Sequence, residues 1–143
     1  MRRALIGIDP DDPEPGFRAL GYATTLLDPK EWELLVVCVV NEFKYARVVS
    51  LSPTEINTAI RKDKENAEKI VREAEEQARR NKFTVRGMIV KGEACLEIIN
   101  IAKSQNVELV ILGYRKRGRV RSLIGSTRRK IIEKIDSNVL IVK

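Results

Sequence analysis

Short apolar runs and helix-spaced apolar stripes alternate along this chain from one end to the other. Ala4 to Ile8 is an apolar run that stops at an Asp-Pro-Asp-Asp-Pro cluster, a pattern that predicts a buried first strand followed by a turn. Pro13 and Pro15 are expected to hold off the next helix until Gly16, after which Phe17, Leu20, Ala23 and Leu27 recur at helical spacing. Asp28-Pro29 ends that helix. Glu33 to Val40 reads as a second strand, continuously apolar after its first residue, as a strand covered on both faces requires. A longer connection, 41–51, leads to Ser52-Pro53-Thr54-Glu55, where serine can cap, proline suits the first helical position and glutamate can reach back. Ile56, Ile60, Ala67, Ile70, Val71, Ala74 and Ala78 then form one stripe along a charged helix ending near Asn81. Strands over Phe83–Val90, Val107–Leu112 and Val139–Val142 alternate with helices over Ala94–Lys103 and Thr127–Ile135. This alternation predicts a single α/β domain over residues 1–143, with a parallel sheet and helices on both faces.

Ligands of such sheets sit beyond the carboxyl ends of the strands, so two loops become candidates. One follows the first strand and carries Asp9; the other follows the fourth and starts at Gly113. An aspartate before proline is also an ordinary turn-former, and Asp9 reads equally in that way.

Composition narrows the chemistry. With 43% hydrophobic and 33% charged residues the chain reads as globular rather than disordered. The longest apolar run, Leu34 to Val40, is too short to span a bilayer, and the apolar stretch after Arg3 stops too soon for a signal peptide, so cytoplasmic residence is expected. The chain contains no histidine, which removes the usual general base and the commonest metal ligand. Cys38 and Cys95 lie in apolar-patterned segments and read as small buried thiols. Many charges of both signs, with a net charge of +7, suit a thermophilic source and anionic partners.

The positive charge concentrates after the fourth strand. There the chain runs Gly113-Tyr114-Arg115-Lys116-Arg117-Gly118-Arg119-Val120-Arg121 and reaches Gly125-Ser126-Thr127 at the expected start of the last helix. Glycines allow close backbone approach, a helix start offers free amides, and arginines pair with phosphate oxygens, so phosphate is the natural ligand. The plainer alternative is that Gly113 and Gly125 turn the chain while the cations are solvated. The segment is neither a Walker loop nor a dinucleotide fingerprint. Base-stacking aromatics are not interleaved with the cations, which argues against nucleic acid as the partner.

Residues Ala4 to Asp9, Gly92-Glu93, Glu108 to Gly113 and Gly125 to Val142 together resemble the universal stress proteins. The resemblance implies a doubly wound, adenine nucleotide alpha hydrolase-like sheet of five parallel strands in the order 3-2-1-4-5. It implies ATP or AMP as a ligand, with Mg²⁺, and a homodimer formed through the terminal strand Val139–Val142. By the same resemblance Asp9 and Val40 would meet the adenosine, Leu112 and Gly113 would border ribose and phosphates, and Gly125, Ser126 and Thr127 would form the phosphate turn. The family pattern Gly-x2-Gly-x9-Gly-Ser/Thr is broken here: Lys116 stands where its second glycine belongs, and Gly125 comes one residue early. Gly118 would serve if the loop shifted, Lys116 would serve by reaching a phosphate, or the lysine would block the ligand. The expected role is therefore a stress-response module binding an adenine nucleotide, without enzymatic turnover beyond slow metal-assisted ATP hydrolysis. The alternative is a homodimeric interaction protein of the same fold that binds no nucleotide.

Overall fold

A computed structural model describes residues 1–45, 50–115 and 121–143, the stretch 121–127 without its side chains. Five strands, β1 (Arg2–Ile8), β2 (Trp32–Val40), β3 (Thr84–Lys91), β4 (Leu109–Gly113) and β5 (Asn138–Val142), pair in parallel in the order β3-β2-β1-β4-β5. Strand order reverses between β1 and β4, as the family resemblance implies. Helices α1 (Glu14–Leu26), α2 (Pro53–Arg80), α3 (Ala94–Ser104) and α4 (Arg121–Lys134) connect them, with a short 3₁₀ turn at Glu42–Tyr45.

Alternation along the central strands divides the core in two. Ala4, Ile6, Ile8, Leu34, Val36 and Cys38 pack under Ala19, Leu20 and Ala23 of α1 and Ala67, Ile70 and Ala74 of α2. Leu5, Leu35, Val37 and Val110 face the other way, under Ile98 and Ile99 of α3, Ile131 of α4 and Ile135 just beyond it. Successive strand residues point to opposite faces, so a continuously apolar strand is what a sheet covered on both sides demands. Alanines in α1 and α2 let these helices lie close to the sheet, and the serine cap forms as the spacing predicts: Ser52 Oγ accepts from the Glu55 amide while the Glu55 carboxylate accepts from the Ser52 amide.

Two helix starts differ from the sequence expectation. Helix α1 begins at Glu14 rather than Gly16, because Pro15 falls in the first turn, where a missing N–H removes no intrahelical bond. Helix α4 begins at Arg121 rather than Thr127. Nothing in Arg121-Ser122-Leu123-Ile124 breaks a helix, and one internal glycine costs only about 1 kcal/mol, so the helix extends back past Gly125.

Candidate functional site

The carboxyl ends of β1, β2 and β4 open into a cavity of about 360 Å³ at the point where strand order reverses. Its apolar wall is built from Val37, Val39, Val40, Ile98 and Leu112, with Gly7 leaving room between Ile98 and Leu112. Asp9, Val40, Leu112 and Gly113 therefore come together, although they lie far apart in sequence. Adjacent parallel strands end on the same side of the sheet, so residues ending β1, β2 and β4 must be neighbours.

The β1–α1 loop supplies the acidic side. Asp9 Oδ1 accepts from the Asp11 amide at 2.9 Å, and the Asp9 carbonyl accepts from the Asp12 amide at 3.2 Å, closing a tight turn. Asp9 is exposed at the mouth but crowded by protein on its inner side. That desolvation raises its pKa; the Asp11 amide works against the rise, and the charges of Asp11 and Asp12 add to it while Arg115 opposes it. Lys44 of the 3₁₀ turn reaches Asp63 of α2 at 3.0 Å and Asp11 at 3.3 Å, while the Tyr45 hydroxyl donates to Asp63 at 2.6 Å. Burial works against the Lys44 ammonium, yet its bonds to Asp63 and Asp11 together hold its pKa above the ordinary lysine value. Asn66 Nδ2 donates to the Pro10 carbonyl at 3.0 Å, so α2 fixes the acidic loop from a second point.

The opposite side is basic. Arg115 places Nε and Nη2 both 2.5 Å from Asp12 Oδ2, and Lys130 Nζ lies 3.8 Å from Glu93 Oε1. Arg128 also lines the cavity, its guanidinium carbon 4.3 Å above the centre of the Tyr114 ring. Tyr114 is itself fixed: its amide donates to the Val142 carbonyl at 2.8 Å, and its carbonyl accepts from Arg18.

The glycine-serine-threonine turn is placed differently from expectation. Gly125, Ser126 and Thr127 lie one turn inside α4, beyond the unpaired amides that a helix start presents. Lys116 and Gly118 lie outside the described residues. Sequence reasoning singled out none of Lys44, Asp63, Glu93, Arg128 and Lys130 as a cavity residue. The one readable signal was Arg128 and Lys130 following the phosphate-suited segment; Asp63 is one charge among many on α2.

Among the described residues no group of three or more histidine, cysteine or carboxylate side chains is placed to hold a metal ion. Cys38 is fully buried, and that burial, helped by the nearby Asp9 charge, pushes its thiol up to about 12. Burial also raises the Cys95 thiol, which disfavours the thiolate form of both cysteines. No helix among the described residues is long and apolar enough to cross a membrane.

Comparison with solved structures returns the same architecture repeatedly. The structure of hypothetical protein MJ0577 superimposes with a TM-score of 0.81 at 24% identity, covering 99% of this chain and 95% of that one. A universal stress protein family protein from Arabidopsis thaliana with AMP bound gives 0.76 at 11% identity, over 100% and 92% of the two chains. A universal stress protein in complex with cAMP gives 0.68 at 17% identity, over 99% and 95%. A search of curated proteins finds no match. The model of the Universal stress protein family matches residues 1–143, the whole sequence. Strand order and this match over residues 1–143 agree, and the chain belongs to the universal stress protein family.

Proposed function

We propose that this protein is a cytoplasmic stress-response module that binds an adenine nucleotide, ATP or AMP, in the cavity beyond β1, β2 and β4. The observation that carries the reading is the division of that cavity into an apolar wall and two polar sides. Val37, Val39, Val40 and Ile98 offer an apolar wall suited to a purine, and Asp9 at the mouth offers acceptors to ribose hydroxyls. Arg115, Arg128 and Lys130 stand on the side where phosphates would lie. Two solved structures of this fold carry AMP and cAMP, which supports adenine nucleotides as the ligand class. Its role is binding rather than turnover: any hydrolysis would be slow and would depend on Mg²⁺ brought with ATP, since the sequence offers no histidine base.

The test is direct. Purified protein is denatured and the supernatant chromatographed for nucleotides, and native protein is titrated calorimetrically with ATP and AMP, with and without Mg²⁺. Released adenine nucleotide or saturable heat is expected. An empty supernatant together with no heat at millimolar ligand would overturn the reading.

A second reading, a homodimer acting through its surface rather than through a nucleotide, is favoured by β5. Among the described residues that strand ends the sheet, paired with β4 alone, and its apolar residues Val139, Leu140, Ile141 and Val142 all remain partly exposed. An apolar edge of this kind suits pairing with a twofold mate. Sedimentation as a monomer at all accessible concentrations would sink it.

A further inference from the structure

Four described cations line the cavity, and three of them already have acidic partners. Lys44 is held by Asp63 and Asp11, Arg115 by Asp12, and Lys130 by Glu93. Arg128 differs. No carboxylate among the described residues lies within salt-bridge distance of it, and its Nε is shielded from solvent without a hydrogen-bond acceptor. A buried guanidinium donor left unpaired is costly, so its presence at a cavity wall calls for an explanation. Its position is nevertheless fixed, because the group lies 4.3 Å over the Tyr114 ring, and that ring's backbone is tied to β5 and α1. Stacking on an aromatic face leaves the edge of a guanidinium, where its N–H donors lie, for an oxyanion. Arg18 makes the contrast clear. Its Nε is also buried and unpaired, but its other nitrogens are used by Glu14 and the Tyr114 carbonyl, and it does not line the cavity.

We propose that Arg128, positioned by Tyr114, is the residue that binds the phosphate group of the ligand and sets the preference for phosphorylated over unphosphorylated nucleoside. The assignment rests on the adenine-nucleotide reading for the ligand's identity, but not for the anion subsite itself. Arg115 and Lys130 contribute less, because an incoming phosphate must compete with Asp12 and Glu93 for them. Arg128 has no such competitor among the described residues, so an anion meeting its terminal nitrogens forms a charge-assisted bond without displacing a carboxylate.

The experiment compares wild type, Arg128→Ala, Arg128→Lys and Tyr114→Leu, each titrated with adenosine, AMP and inorganic pyrophosphate, with thermal unfolding as a control on folding. Arg128→Ala should weaken AMP by about tenfold or more, the equivalent of one charge-assisted bond, and leave adenosine within about twofold. Arg128→Lys should restore part of the loss, and Tyr114→Leu should reproduce a fraction of it by releasing the guanidinium. Equal losses for AMP and adenosine, or no loss for either, would overturn the assignment. If wild type binds neither nucleoside nor nucleotide, the adenine reading fails by itself. Pyrophosphate then decides: saturable binding lost in Arg128→Ala upholds the subsite, and no pyrophosphate binding to wild type removes it.

Discussion

Replacing Gly113 with alanine would put a methyl group where the first turn of α1 already stands. A Cβ built on Gly113 falls 2.0 Å from the Pro15 carbonyl oxygen, 2.3 Å from its carbonyl carbon and 2.8 Å from its Cα. These are backbone atoms, so no side-chain rotation relieves the overlap. Either α1 lifts from β4 or the end of β4 withdraws from β5, where Gly113 pairs with Val142. Overpacking in a close-packed interior costs typically about 1–3 kcal/mol and occasionally more, and a clash against fixed backbone belongs at the upper end. At roughly 3–5 °C per kcal/mol for a domain of this size, Gly113→Ala should lower the unfolding midpoint by about 8–15 °C. Gly21→Ala is the control. Its Cβ would meet only Gln77 Nε2, at 3.7 Å, and alanine is a better helix former than glycine by about 1 kcal/mol, so that variant should be unchanged or stabilised. Circular dichroism melts of both variants and wild type provide the measurement. A Gly113→Ala protein that melts with wild type would refute the contact between α1 and β4. The glycine would then need another cause, such as backbone approach to a ligand.

Asp9→Asn should stabilise the protein at neutral pH while weakening nucleoside binding. Folding raises the Asp9 pKa, so its proton is held more tightly in the folded state. The carboxyl therefore favours folding below its unfolded value of 3.8 and opposes it once pH rises through the folded value. Asparagine can keep the bond from the Asp11 amide, and urea titrations should show a gain at pH 7 that disappears below about pH 4. Asp12→Asn removes the partner of Arg115, and calorimetry should find tighter AMP or pyrophosphate binding, opposite in sign to Arg128→Ala; weaker binding would mean that Asp12 positions Arg115 rather than competing for it. Cys38 and Cys95 should resist alkylation at pH 8 in the native protein and react fully in guanidinium, and rapid native labelling would contradict their burial.

The sheet was readable in the sequence because its physics is local. Leu34 to Val40 is apolar at every position, which only a strand covered on both faces requires, and Ser52 with Glu55 marks a helix start by chemistry confined to four residues. Helix boundaries were less readable where a residue's effect depends on its position in the turn. Pro15 looked like a barrier but sits in a first turn that tolerates it, and Gly125 looked like a turn but falls within α4. The site divides in the same way. Asp9, Val40, Leu112 and Gly113 end neighbouring strands, so topology alone brings them together. Asp63 and Lys44 are joined only by the path of the chain between β2 and α2, and no spacing rule relates them.

The pairing of the cations changes what the basic segment means. Read from sequence, its value to an anion lies in the number of arginines and lysines. In the fold a cation already paired with a carboxylate contributes little, because binding a phosphate there exchanges one charge-assisted bond for another and leaves Asp12 or Glu93 facing the new anion. The differential is largest where a fixed cation has no carboxylate partner, and among the described cavity residues that is Arg128 on Tyr114. Among the described cavity cations, anion affinity should therefore follow the fate of one guanidinium rather than the number of cations. Salt sensitivity separates the two: a diffuse cluster would lose affinity steeply as ionic strength screens its exposed charges, whereas a partly buried stacked pair would lose little.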